Sequence, residues 1–147
     1  MNARRLMLVF ALASLGLGAC GGDGSNGNGD EIPEGQSLVV ITVNLAEGLP
    51  EIRQIWVAAH NGMLGDVDLN YPMTPGGPIT SGATLGILVP DTTGLLDLVL
   101  RGLNAPLASG GMPVARGSGQ AMIMQGSQRV YRTFLLEACG TSGTSGC

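Results

Sequence analysis

Gly65-Asp66-Val67-Asp68-Leu69-Asn70 sets oxygen donors at every second residue, as calcium-holding loops do. An EF-hand also needs a glycine at the sixth loop position and a glutamate at the twelfth. Counted from Asp66, those places hold Tyr71 and Gly77, so that motif fails. Two readings stay open: a β-rich loop that gathers Asp66, Asp68 and Asn70 around a cation, or a solvated polar turn. His60 is the only histidine, which removes multi-histidine metal sites and leaves zinc short of ligands. Serines and aspartates abound, so counting alone does not remove a Ser-His-Asp arrangement. However, Gly117-Ser118-Gly119 lacks the G-x-S-x-G spacing of a nucleophile elbow, and His60 reads as a surface residue at a strand end. Paired carboxylates for glycoside hydrolysis have no distinctive setting. Trp56 falls on the face opposite Ile55 and Val57, where it either covers the edge of the core or stacks on a sugar or a partner. Met122 and Met124 alternate as strand residues do and read as core filling.

The remaining chemistry is cysteine. Arg4-Arg5 precedes an apolar run from Leu6 to Gly16, about eleven residues and too short for a membrane-crossing helix of roughly 20. A basic start, a short apolar stretch and small residues before a cut site describe a secretory signal. Leu17-Gly18-Ala19-Cys20 then resembles the bacterial lipobox: a leucine, two small residues and an obligatory cysteine. The resemblance spans the first twenty residues. It implies a diacylglyceryl group on the Cys20 sulfur, cleavage before Cys20 by a lipoprotein signal peptidase, and an acyl chain on the new amine. An ordinary signal peptide with an incidental cysteine is the alternative. One acyl chain binds a membrane only marginally, so two or three are what make an anchor lasting. In lipoproteins an Asp after the lipidated Cys favours inner-membrane retention; here Gly21 and Gly22 follow, and the resemblance implies the outer membrane. In that oxidising compartment Cys139 and Cys147 are an even pair around GTSGTSG. A disulfide between them is expected, contributing roughly 2–3 kcal/mol in chain-entropy models. Their spacing is far from C-x-x-C, which argues against a redox role.

Composition bounds the rest. Cleavage after residue 19 leaves 128 of the 147 residues, enough for one domain. Losing Arg4 and Arg5 takes the net charge from −4 to about −6, and the chain has no lysine. Scattered arginines on an acidic chain give no stripe for phosphates, which excludes nucleic acid as an expected partner. Residues 20–36, the lipidated cysteine and GGDGSNGNGDEIPEGQ, are almost devoid of apolar side chains and read as a flexible tether. Residues 140–147 read as a small-residue tail. The domain lies between, at residues 37–139.

Its elements are strands. Val39, Ile41, Val43 and Leu45 alternate with polar neighbours, as do Ile55, Val57 and Ala59. Leu85, Ile87 and Val89 end at Pro90; Leu96, Leu98 and Leu100 sit between Gly94 and Gly102. Gln120 to Gln125 suits a short antiparallel partner for a last strand near Arg129 to Leu136. In that strand Arg132 shares a face with Val130, Phe134 and Leu136, which requires a bulge or a carboxylate at the rim. Gly-, Pro-, Asn- and Asp-rich breaks separate these runs. About seven short strands predict an all-β antiparallel sandwich of immunoglobulin-like or transthyretin-like topology. Taken together, lipobox, tether and β-domain resemble the small β-sandwich lipoproteins of diderm bacteria, a likeness that brings no functional residues into the domain.

Three function classes follow. The first is a non-catalytic, lipid-anchored envelope domain that binds a protein or glycan or contributes to the envelope. The second is an accessory subunit whose edge strand extends a partner's sheet. The third, and the least supported by the residues, is a hydrolase using loop carboxylates. No cofactor is expected beyond the covalent lipid at Cys20.

Overall fold

The alternating β-branched and leucine runs form strands because each can turn one apolar face to a shared core while the other meets water. In a computed structural model, which describes residues 32–62, 65–72, 76–140 and 147, this produces seven strands. They are β1 (Gln36–Leu45), β2 (Gln54–Asn61), β3 (Gly65–Tyr71), β4 (Ala83–Pro90), β5 (Gly94–Leu103), β6 (Pro113–Ile123) and β7 (Arg129–Ala138). A single 3₁₀ turn, Leu107–Ser109, interrupts the β5–β6 connection. Among the described residues no helix is long and apolar enough to cross a membrane. The lipobox and most of the tether lie outside the described residues.

The strands hydrogen-bond in the order β3-β2-β5-β6-β7-β1-β4, a mixed sheet that curls until it nearly closes into a barrel. The all-β expectation holds, but purely antiparallel pairing does not. β1 runs parallel to β7, Leu38 opposite Arg129 through Leu45 opposite Leu136. A parallel neighbour requires a long crossover, and the whole of β2 to β6 supplies it. Most predicted inward residues are buried in one core, Val39, Ile41, Val43, Ile55, Val57, Ala59, Leu85, Ile87, Val89, Leu96, Leu98, Leu100, Phe134 and Leu136, while Leu45 and Val130 are half-buried against it.

Three local expectations are corrected. The Gly65–Asn70 stretch is not a loop but the first six residues of edge strand β3. β6 extends from Pro113 rather than covering only Gln120–Gln125, and its main partner is β5; it meets β7 only at Ala115–Ala138 and Arg116–Glu137. Met122 and Met124 are exposed, because Ala121 and Ile123 occupy the inward phase.

β7 therefore changes partner, following β1 for most of its length and touching β6 at its end. Where it crosses the inner side of β6, there is no room for side chains. A Cβ on Gly117 would lie 2.7 Å from the Leu135 carbonyl oxygen, and one on Gly119 would lie 2.9 Å from the Phe134 ring. Arg132 is accommodated at the same opening without a bulge in the β1–β7 register. Its Nε donates to the Gln120 carbonyl at 3.0 Å and Nη1 to its neighbour Tyr131's carbonyl at 3.0 Å, so β7 and β6 are bridged beyond the reach of their ladder.

Gly117→Ala is expected to destabilise the protein by about 1–3 kcal/mol, since a backbone oxygen cannot swing aside. The measurement is urea unfolding of the full chain, with a lower midpoint at unchanged slope. Gly77→Ala, where the new Cβ meets nothing within 4 Å, should leave the midpoint in place.

Candidate functional site

Strand alternation sends every second residue of β3, β2, β5 and β6 to the outside, and their registers align these residues in three rows across the sheet. One row is Asp66-His60-Asp97-Gln120, the next Asp68-Ala58-Val99-Ser118, and the third Asn70-Trp56-Arg101-Arg116, continued onto β7 by Glu137. The middle row is short-chained beyond Asp68 and lies between two rows of longer side chains.

In the first row His60 Nδ1 contacts Asp66 Oδ1, with the side chains 60% and 82% exposed. Gln120 Nε2 donates to Asp97 Oδ1 at 2.7 Å. A catalytic histidine–aspartate pair needs a nucleophile on the other ring nitrogen and a buried aspartate. Among the described residues no hydroxyl or thiol hydrogen-bonds to His60, and Asp66 is open to water. The pair is a surface contact between neighbouring strands.

Asp66, Asp68 and Asn70 do share a face, as their spacing required, but β3 is extended. Four residues of strand string the three donors over about 13 Å, whereas oxygens around one calcium lie within 2.3–2.6 Å of it. Asp66 is also engaged by His60. Among the described residues no group of three or more histidine, cysteine or acidic side chains is placed to hold a metal.

The third row has a different character. The Arg101 guanidinium lies over the Trp56 ring, 4.4 Å from its centroid, a cation–π stack between β5 and β2. Arg116 is directly opposite Arg101 in the β5–β6 register. Beyond it, Arg116, Ser118, Leu135 and Glu137 line a cleft of about 320 Å³ that Cys139 and Cys147 also line. Those two cysteines are joined, with Cα atoms 5.5 Å apart. Sequence reading found Trp56 but missed both arginines. The outward phase of Arg101 was legible, but that of Arg116 was not, and their adjacency depends on the β2–β5–β6 register, which no local pattern encodes.

Buried polar side chains hold the ends of these strands. Gln54 donates to the Pro72 carbonyl at 3.1 Å and accepts from the Leu107 amide at 2.8 Å, tying the β3 exit to the 3₁₀ turn. At the opposite end, Asn61 Nδ2 donates to the carbonyls of Thr93 and Leu95 at 2.7 and 2.6 Å. No protein-family model, no curated protein and no solved structure matches this chain.

A calcium test follows from the strand geometry. Thermal unfolding of the full chain in millimolar calcium and in chelator should give the same midpoint. A rise of several degrees with calcium, lost in Asp68→Asn, would show that β3 bends into a cation loop.

Proposed function

We propose that this chain is a lipid-anchored, non-catalytic protein of the bacterial envelope, held at the outer membrane through Cys20. The observation that carries the reading is the order of elements at the start: Arg4-Arg5, the short apolar run, Leu17-Gly18-Ala19-Cys20, then Gly21-Gly22. Thiol chemistry supports it, since Cys20 is the only strong nucleophile in that stretch. So does energetics: several acyl chains, at about 0.8 kcal/mol per buried methylene, hold an acidic domain that anionic headgroups would otherwise repel.

The domain's geometry is compatible with display on a tether. The chain enters at the start of β1, beside the turns at Asp91–Thr93 and Gly126–Gln128. The described parts of the long connections, 46–53, 76–82 and 104–112, lie at the other end of the strands, as the registers require. Tethered in this way, the domain turns those connections away from the lipid. A non-catalytic role is supported by the open setting of His60 and Asp66, where among the described residues no nucleophile bonds to the ring.

For the architecture, we favour a sandwich of β4-β1-β7 against β3-β2-β5-β6, of the transthyretin-like kind. Support comes from the thin β6–β7 junction of two residue pairs, and from β1 lying between β4 and β7 rather than beside β2. In the immunoglobulin-like order the first two strands are neighbours.

Metabolic labelling with radioactive palmitate, with and without globomycin, tests the anchor. Wild type should carry label and stay with membranes through a high-salt wash. Cys20→Ala should carry none and accumulate as a heavier precursor. Unlabelled wild type, or processing indifferent to both inhibitor and substitution, overturns the lipoprotein reading.

A further inference from the structure

Cationic side chains are scarce here, and their use is uneven. Arg53 pairs with Glu51, Arg132 donates to two carbonyls, and Arg129 is engaged. Arg101 and Arg116 are different. No hydrogen bond or ion pair joins either guanidinium to another described residue, although the chain carries a net charge of −4. Arg101 Nε is buried and has no acceptor, alone in this among the described side chains.

Two features of this row cost free energy in the isolated protein. Like charges directly opposed across a ladder repel, with Cβ atoms about 4.5–5.5 Å apart. A buried donor without an acceptor forfeits its hydration without recompense. Neither cost is needed for folding: a glutamine at Arg116 would remove the repulsion and keep the strand. Such local conflict in an otherwise consistent sheet is characteristic of sites shaped for a ligand.

We infer that Arg101 and Arg116 form a binding site for an oxyanion, a carboxylate or a phosphate, on the outer face of β5 and β6. One oxyanion between the two guanidiniums neutralises both and accepts charge-assisted hydrogen bonds from each. Trp56 fixes Arg101 by stacking, so less side-chain entropy is lost when the anion arrives. Glu137 stands on the far side of Arg116, opposite it in the β6–β7 register, where its negative charge opposes an incoming anion. Beside the pair on the outer face stand only the short side chains of Ala58, Val99 and Ser118. This site is independent of the anchor at Cys20.

Trp56 is the only tryptophan, so its fluorescence reports on the site without labelling. The experiment titrates the full chain in non-ionic detergent with inorganic phosphate, with glucuronate, and with glucose, all at ionic strength fixed by sodium chloride. Phosphate or glucuronate should change the Trp56 emission saturably and raise the unfolding midpoint; glucose should do neither. A response to both anions identifies the bare oxyanion as the ligand, whereas a response to glucuronate alone assigns recognition to a sugar carboxylate. Arg116→Gln should weaken binding by about tenfold or more while its ligand-free unfolding midpoint stays level or rises. Glu137→Gln should tighten binding severalfold. No response to either anion beyond the chloride control overturns the site, as does an Arg116→Gln protein that responds like wild type.

Discussion

The change of partner along β7 is the constraint on which the rest of the molecule depends. A strand that stayed with β6 would leave β1 and β4 without a sheet; one that stayed with β1 would cut the molecule in two. β7 does both, parallel to β1 from Arg129 to Leu136 and joined to β6 at Glu137 and Ala138. The crossing needs bare backbone on β6, and glycines stand at 117 and 119, where the Leu135 oxygen and the Phe134 ring approach. Phe134 and Leu136 thereby enter the same core as Leu98 and Leu100. The turn into β7 depends on a further contact, the buried Ser37 hydroxyl accepting from the Gln128 amide at 3.1 Å.

Polar burial follows the same logic. Among the described residues, Ser37, Gln54, Asn61 and Thr93 are the buried polar ones, and each bonds to backbone at a strand end. Backbone leaving a ladder must find partners or water, and these side chains provide them where apolar packing cannot. The strand ends are thus fixed by a few hydroxyls and amides, and the strand middles by aliphatic contact.

What the sequence revealed divides along physical lines. Strands with one apolar face were legible, because period-two alternation is imposed by burial of that face. β3 was hidden: Val67 and Leu69 alternate with Asp66, Asp68 and Asn70, but as an edge strand with half-buried apolar residues it imitates a polar loop. The first half of β6 was hidden by its own glycines, which signal turns in most contexts and here serve a crossing. Parallel pairing of β1 and β7 had no local signature, since strands far apart in the chain carry no mark of their mutual direction. The candidate site suffered most. Arg101 and Arg116 are ordinary half-buried arginines until a register sets them opposite one another.

The place of β1 has a mechanical consequence. The chain reaches the domain through residues 32–35 and runs straight into β1, which has β4 on one side and β7 on the other. Tension along that segment, opposed by a load on the far loops, acts parallel to the strand. It must break two ladders in shear, Gln36–Val43 against β4 and Leu38–Leu45 against β7, before any residue is released. An edge strand pulled from its end would peel one pair at a time. The first strand the chain enters is thus one held on both sides.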